Sequence, residues 1–161
     1  MEEAIDEGRV LVAPLDRLRL LAAGTGGLFV EREMSFPAAQ VWSIASDFEG
    51  AMSGVLPDVQ RLRVRSRRGG EVGLELSGRL AQGVRFDAVV GDNWWLMQSR
   101  LLIGGLAVAE DGRGSRVAFL GALRPVWLRR SAALARPLSR LLARRVLVRL
   151  ERRCLEMAPP L

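Results

Sequence analysis

The central part of the chain alternates apolar and polar residues with the period of half-buried strands. Residues 59–67 place Leu62 and Val64 on one face and four arginines on the other. Similar patterns continue in segments 72–78, 84–90, 94–103, 106–110 and 115–123, separated by turns rich in glycine, aspartate and asparagine. Gly104 and Gly105 are expected to break the strand 94–103. A further strand, 28–36, precedes them. Turns spaced about eight to twelve residues apart predict a single antiparallel sheet.

Helical patterns flank these strands. Pro37 opens a predicted helix that carries Trp42 and Ile44, and a second short helix is predicted from Glu49 to Leu56. Residues 126–157 lack glycine and predict one long terminal helix, which Pro137 either kinks or starts. One side of it collects Leu128, Leu134, Leu138, Leu141, Leu142 and Val146, and the other collects Arg129, Arg130, Arg136, Arg140 and Arg144. After residue 145 the stripe drifts, which a bend or burial on more than one side would explain.

The first 27 residues do not fit this strand-rich pattern. They predict a short strand at 10–13 and a helix at 15–23 that glycine ends. The GTGG run at 24–27 lacks the third glycine of a dinucleotide fingerprint, where Phe29 stands, so we interpret it as a helix stop and turn. We expect an N-terminal extension that packs on the domain or mediates association.

Composition excludes several kinds of chemistry. A chain of 161 residues is expected to form one domain with a substantial core. It has no histidine, tyrosine or lysine, which excludes Ser-His-Asp and Cys-His catalysis, Schiff-base chemistry and a P-loop. The single Cys154 excludes an intramolecular disulfide and a cysteine-built zinc site. We predict no metal and no cofactor.

The net charge of +6 belongs mainly to the terminal helix. Residues 129–153 contain nine arginines and one acid, Glu151. Because aromatic residues are not interleaved with these arginines, no nucleic-acid partner is expected. The arginines form either a solvated face or a contact for an anionic membrane or a protein through Arg136, Arg140 and Arg144. The acidic start and the lack of an apolar run of about 18 residues predict a soluble, cytoplasmic protein.

Several segments occur in the order and spacing of a known superfamily. They are the strand VEREMSF, the helix PAAQVWSIASDF, LPDV at 56–59, GRGSRV at 112–117 and the long terminal helix. Over residues 28–157 the chain resembles the START/Bet v 1-like (SRPBCC) superfamily, in its polyketide cyclase/dehydrase and lipid-transport branch. Residues 1–27 and the tail 158–161 lie outside the resemblance. It implies an α+β helix-grip fold with the element order β-α-α-β6-α. In it, a seven-stranded curved antiparallel sheet wraps around the C-terminal helix and leaves an apolar cavity.

Alternation predicts which side chains face that cavity. The expected ligand-binding residues are Trp42, Met52, Leu56, Leu74, Leu76, Phe86, Ala88, Trp95, Met97, Ser99, Phe119, Leu134, Leu138 and Leu142. For strand 94–103 the alternation does not decide which face points inward, because Trp94 and Trp95 are both large and apolar. The alternative for the whole set is that these side chains fill a solid core.

Three functions follow as hypotheses. The first is a module that binds or transports a hydrophobic small molecule such as a lipid or polyketide. The second is a polyketide cyclase or aromatase using the same pocket, for which the sequence offers no tyrosine and no clear general base. The third is an adaptor that docks on a membrane or protein through its arginine-rich helix.

Overall fold

The computed structural model describes residues 12–132 and 136–159. Seven strands form one antiparallel sheet in the spatial order β1-β7-β6-β5-β4-β3-β2. The strands are β1 Leu28–Met34, β2 Val59–Arg68, β3 Glu71–Gly78, β4 Val84–Gly91, β5 Trp94–Gln98, β6 Leu102–Asp111 and β7 Gly114–Leu123. The helices in the described ranges are α1 Pro14–Thr25, α2 Ala38–Ala45, α3 Val126–Ala132 and α4 Arg136–Met157, with a short 3-10 helix at Ala51–Gly54. The predicted α+β helix-grip architecture is confirmed.

The prediction of a single strand over 94–103 was wrong. The chain turns at residues 99–101, where the Ser99 N–H donates to the Leu102 carbonyl at 2.8 Å. The Ser99 Oγ accepts from the Leu102 N–H at 3.1 Å and closes the turn. Gly104 and Gly105, which were expected to break a strand, lie inside β6. The second predicted helix is reduced to the 3-10 turn, whose first N–H groups bond to the Asp47 carboxylate.

The core lies between the concave face of the sheet and the second part of α4. The buried residues of α4 are Ala143, Val146, Leu147, Leu150 and Cys154, at the i, i+3, i+4, i+7 and i+11 positions of one stripe. The predicted stripe through Leu138 and Leu141 was therefore wrong, because both side chains are exposed. The apolar residues after position 145, which do not continue the predicted stripe, belong to the stripe that packs against β1, α2 and β7.

Helix α1 packs on the opposite, outer face of the sheet. Leu15, Leu18 and Ala22 form a second apolar cluster over β6 and β7, with Ala107, Ala118 and Leu120. Gly105 makes room for this helix, because a Cβ there would lie 2.6 Å from Leu18 Cδ2. The helix ends at Gly26, whose φ of +64° confirms the predicted glycine stop. Val12 and Ala13 form no strand, and the rest of the predicted strand 10–13 lies outside the described residues.

Candidate functional site

A cavity of about 830 Å³ opens between the concave face of the sheet and the first turns of α4. It occupies the end of the fold where β1, β4 and β6 begin and β3, β5 and β7 end. Its volume is within the range of pockets that hold small organic ligands. Its apolar lining includes Leu28, Leu56, Leu76, Phe86, Leu102, Ile103, Met97, Phe119, Leu123, Leu142, Ala143 and Val146.

Two glycines leave the sheet side of the cavity without side chains. Gly104 of β6 and Gly121 of β7 are directly paired in the sheet, and both line the cavity. Since residues two apart share a face, they lie on the same face as Leu106 and Phe119 respectively. A Cβ on Gly121 would meet only the Phe119 ring, at 3.8 Å, and a Cβ on Gly104 would lie 3.5 Å from Met97 Cγ. We call this pair the glycine floor; its missing side chains account for part of the open volume.

The other half of the interior is filled by protein. Trp95 is fully buried, its Nε1 donates to the Ala45 carbonyl at 3.0 Å, and its ring meets Phe48 edge-on at 5.9 Å between centroids. This packing brings α2 against the sheet and closes that end of the fold. It explains why the cavity is confined to the end near the start of β1.

The polar groups that line the cavity lie around its opening. They belong to Arg19, Thr25, Arg129, Arg136, Ser139 and Arg140, and no carboxylate occurs among the described lining residues. Arg19 is neutralised by Glu31 at 2.7 Å and Asp16 at 3.2 Å. The Arg129 Nε donates to the Leu123 carbonyl at 2.8 Å, which fixes its guanidinium at the end of β7.

Arg136 and Arg140 give the opening its positive charge. They are one helical turn apart on α4 and both are exposed. Within the part of the chain that the structure describes, neither has a carboxylate within 4 Å. Among the described residues, the site thus combines apolar walls with three arginines, Arg129, Arg136 and Arg140, that have no carboxylate partner.

Six of the predicted ligand-binding residues line the cavity. These are Leu56, Leu76, Phe86, Met97, Phe119 and Leu142. Whether they contact a ligand stays a prediction. Both Trp95 and Met97 face inward, which decides the face of β5 that the sequence left undetermined.

The remaining predicted site residues lie elsewhere. Met52, Leu74, Ala88 and Trp95 belong to the buried core, and Trp42 is half-buried against it. None of these five residues lines the cavity, since they lie toward the end that α2 closes. Ser99 forms the β5–β6 turn, and its hydroxyl bonds to backbone N–H groups. Leu138 is exposed and does not line the cavity, because the first turns of α4 extend past the core. Leu134 lies outside the described residues.

Sequence reasoning missed the glycine floor and the arginines of the opening. The adjacent glycines at 104 and 105 were visible in the sequence but were interpreted as a break. Arg136 and Arg140 were assigned to the helix face opposite the pocket, because the stripe was drawn through the wrong leucines.

The described residues offer little for acid–base or metal chemistry. They contain no cluster of three or more histidine, cysteine, aspartate or glutamate side chains that would hold a metal ion. Cys154 is buried in the core, where burial and then the charge of Glu151 raise the pKa of its thiol to about 11. This thiol is protonated at neutral pH and does not line the cavity.

No protein-family model matches the sequence, and no curated protein matches it either. Solved structures do match the fold. The protein TTHA0849 from Thermus thermophilus superposes with a TM-score of 0.65 at 21% identity, over 83% of this chain and 99% of that one. A START superfamily protein from Mycobacterium smegmatis gives a TM-score of 0.54 at 16% identity, over 82% and 99% of the two chains.

A third likeness is to the di-domain ARO/CYC protein BexL from the BE-7585A biosynthetic pathway. Its TM-score is 0.60 at 15% identity, over 83% of this chain and 50% of BexL. At these identities the likenesses bear on the fold and leave the activity open. The chain thus has the Bet v 1-like helix-grip fold, which it shares with the START superfamily protein and with part of the ARO/CYC protein.

Proposed function

We propose that the protein binds a hydrophobic small molecule, such as a lipid or a polyketide, in the cavity and acts as its carrier. The observation that supports this most directly is the apolar cavity of about 830 Å³ above the glycine floor. Burying one methylene group contributes about 0.8 kcal/mol, so about ten buried methylenes would supply the free energy of a micromolar complex. The likeness to a START superfamily protein supports the same proposal.

A polyketide cyclase or aromatase is the second candidate, favoured by the likeness to the ARO/CYC protein. Proton transfer in such a reaction needs an acid or base that contacts the substrate. The described lining offers arginines at the opening and no carboxylate, and the chain has no histidine, tyrosine or lysine. The lining therefore supports binding more strongly than catalysis. The cytoplasmic location expected from the sequence stays a prediction.

The test has two arms. Protein purified without detergent is extracted with organic solvent, and the extract is analysed by mass spectrometry for co-purified apolar molecules. Delipidated protein is then titrated with a fluorescent fatty acid. Saturable binding with a stoichiometry near one supports the proposal. A clean extract together with no saturable uptake would refute it.

A further inference from the structure

Large apolar side chains are exposed on the segments that border the cavity opening. Trp127 of α3 is 71% exposed and Leu138 of α4 is 60% exposed. Leu101, Leu102 and Leu141 are exposed as well. We call these five residues the rim. Exposed apolar patches on the surface of a protein commonly mark a contact with a membrane or another molecule.

The backbone places these segments around the opening. Leu102 lines the cavity and pairs with Leu123 at the end of β7. Helix α3 begins three positions after the last residue of β7. In the connection between them, the Arg124 N–H donates to the Leu101 carbonyl at 2.9 Å. In α4, Arg140 and Leu142 line the cavity on either side of Leu141. The backbone therefore places the rim beside the cavity opening.

The same segments carry positive charge with no compensating acid nearby in sequence. Residues 124–149 contain eight arginines and no aspartate or glutamate. Arg130 and Arg144 are exposed, and neither has a carboxylate within 4 Å in the described ranges. Arg130 follows Trp127 by three positions, so the two share a side of α3. Surfaces that lie at the headgroup level of an anionic bilayer typically combine tryptophan and leucine with arginine.

Charge also decides between possible occupants of the rim. A second copy of this chain, related by two-fold symmetry, would bring arginines against arginines, which opposes association. Nucleic acid would place the leucines against phosphates. An anionic bilayer suits both the arginines and the apolar rim, because its headgroups attract the arginines and its interface accepts Trp127 and the leucines.

We propose that the rim docks the protein on anionic lipid bilayers, with the cavity opening toward the membrane. Docking does not require that the cavity be occupied, so it is tested independently of ligand binding. Each arginine held near an anionic surface strengthens membrane binding about fivefold at low salt. The attraction weakens as salt screens it.

The experiment is flotation with phosphatidylcholine vesicles that contain or lack phosphatidylglycerol. We expect the full chain to float only with the anionic vesicles and to be released as salt rises. Trp127→Ser and, separately, Arg130→Gln with Arg144→Gln should lower binding, the double variant by about 25-fold. The matched control is Arg61→Gln with Arg63→Gln, which removes the same charge from exposed positions of β2.

Three results would overturn the proposal. One is no flotation of the unaltered chain with anionic vesicles. Another is an equal loss in the β2 control, which would mean that binding depends on net charge alone. The third is a dimer in solution that dissociates in the Trp127→Ser variant, which would assign the rim to self-association. Binding of a fluorescent fatty acid without vesicles, measured on the same samples, reports on the cavity separately.

Discussion

Substituting leucine for Gly121 should fill part of the cavity without unfolding the protein. A Cβ at this position would meet only Phe119 Cε1, at 3.8 Å, and the backbone of Gly121 does not have a positive φ. The four added carbon atoms enter the space above the glycine floor. If they displace about four methylene groups of a ligand, the loss is about 3 kcal/mol, or more than a hundredfold in affinity.

The assay is a pair of measurements on each variant. Fluorescent fatty-acid titration gives the Kd, and thermal denaturation gives the Tm. Gly121→Leu should bind more than a hundredfold more weakly with an unchanged or higher Tm, because it adds apolar burial and removes a strand glycine. Gly24→Leu is the control, since a Cβ there meets nothing within 4 Å and Gly24 does not line the cavity. Unchanged affinity in folded Gly121→Leu would show that the ligand does not lie on the glycine floor.

Three further predictions concern the opening, the core and α1. Arg136→Gln with Arg140→Gln should lower affinity for a long-chain fatty acid about tenfold while leaving the corresponding alcohol unaffected, because only the acid carries a charge for the arginines; paired titrations measure this. Burial raises the pKa of the Cys154 thiol from 9.0 to about 11, so its contribution to stability should be fully present below about pH 8, and the free energy of unfolding should fall by about 2 kcal/mol as the pH rises to 11. No lysine or tyrosine titrates in that range, so Cys154→Ala should abolish the fall in urea denaturation. Leu18→Ala should cost about 2–4 kcal/mol in the same assay, because Leu18 is buried between α1 and the sheet, whereas exposed Leu20→Ala should cost less than about 0.5 kcal/mol.

The positions of most strands were predictable because alternation with period two is a local signal. Each hairpin also has its turn residues in the sequence, such as Gly69 and Asn93, whose φ values are +57° and +62°. The helix that follows Pro37 was also predictable, because a proline at the start of a helix is likewise a local signal. None of these features depends on what packs against them.

The position of the cavity was less predictable, because it depends on long-range packing. The alternation of β5 put Trp95 and Met97 on one face without deciding which face is inside, and only the packing of α2 decides that Trp95 fills the core and Met97 lines a space. On α4 two apolar stripes compete, and contact with β1 selects the one through Val146 and Leu150. The leucines of the other stripe remain exposed or line the opening.

Gly104 and Gly105 are neighbours in β6, so they face opposite sides of the sheet. Inside, Gly104 belongs to the floor of the cavity; outside, Gly105 receives Leu18 of α1. The wall between the cavity and helix α1 is only one backbone thick at this place. The volume of the cavity and the attachment of α1 are consequently encoded by adjacent codons, and mutation can adjust one while sparing the other.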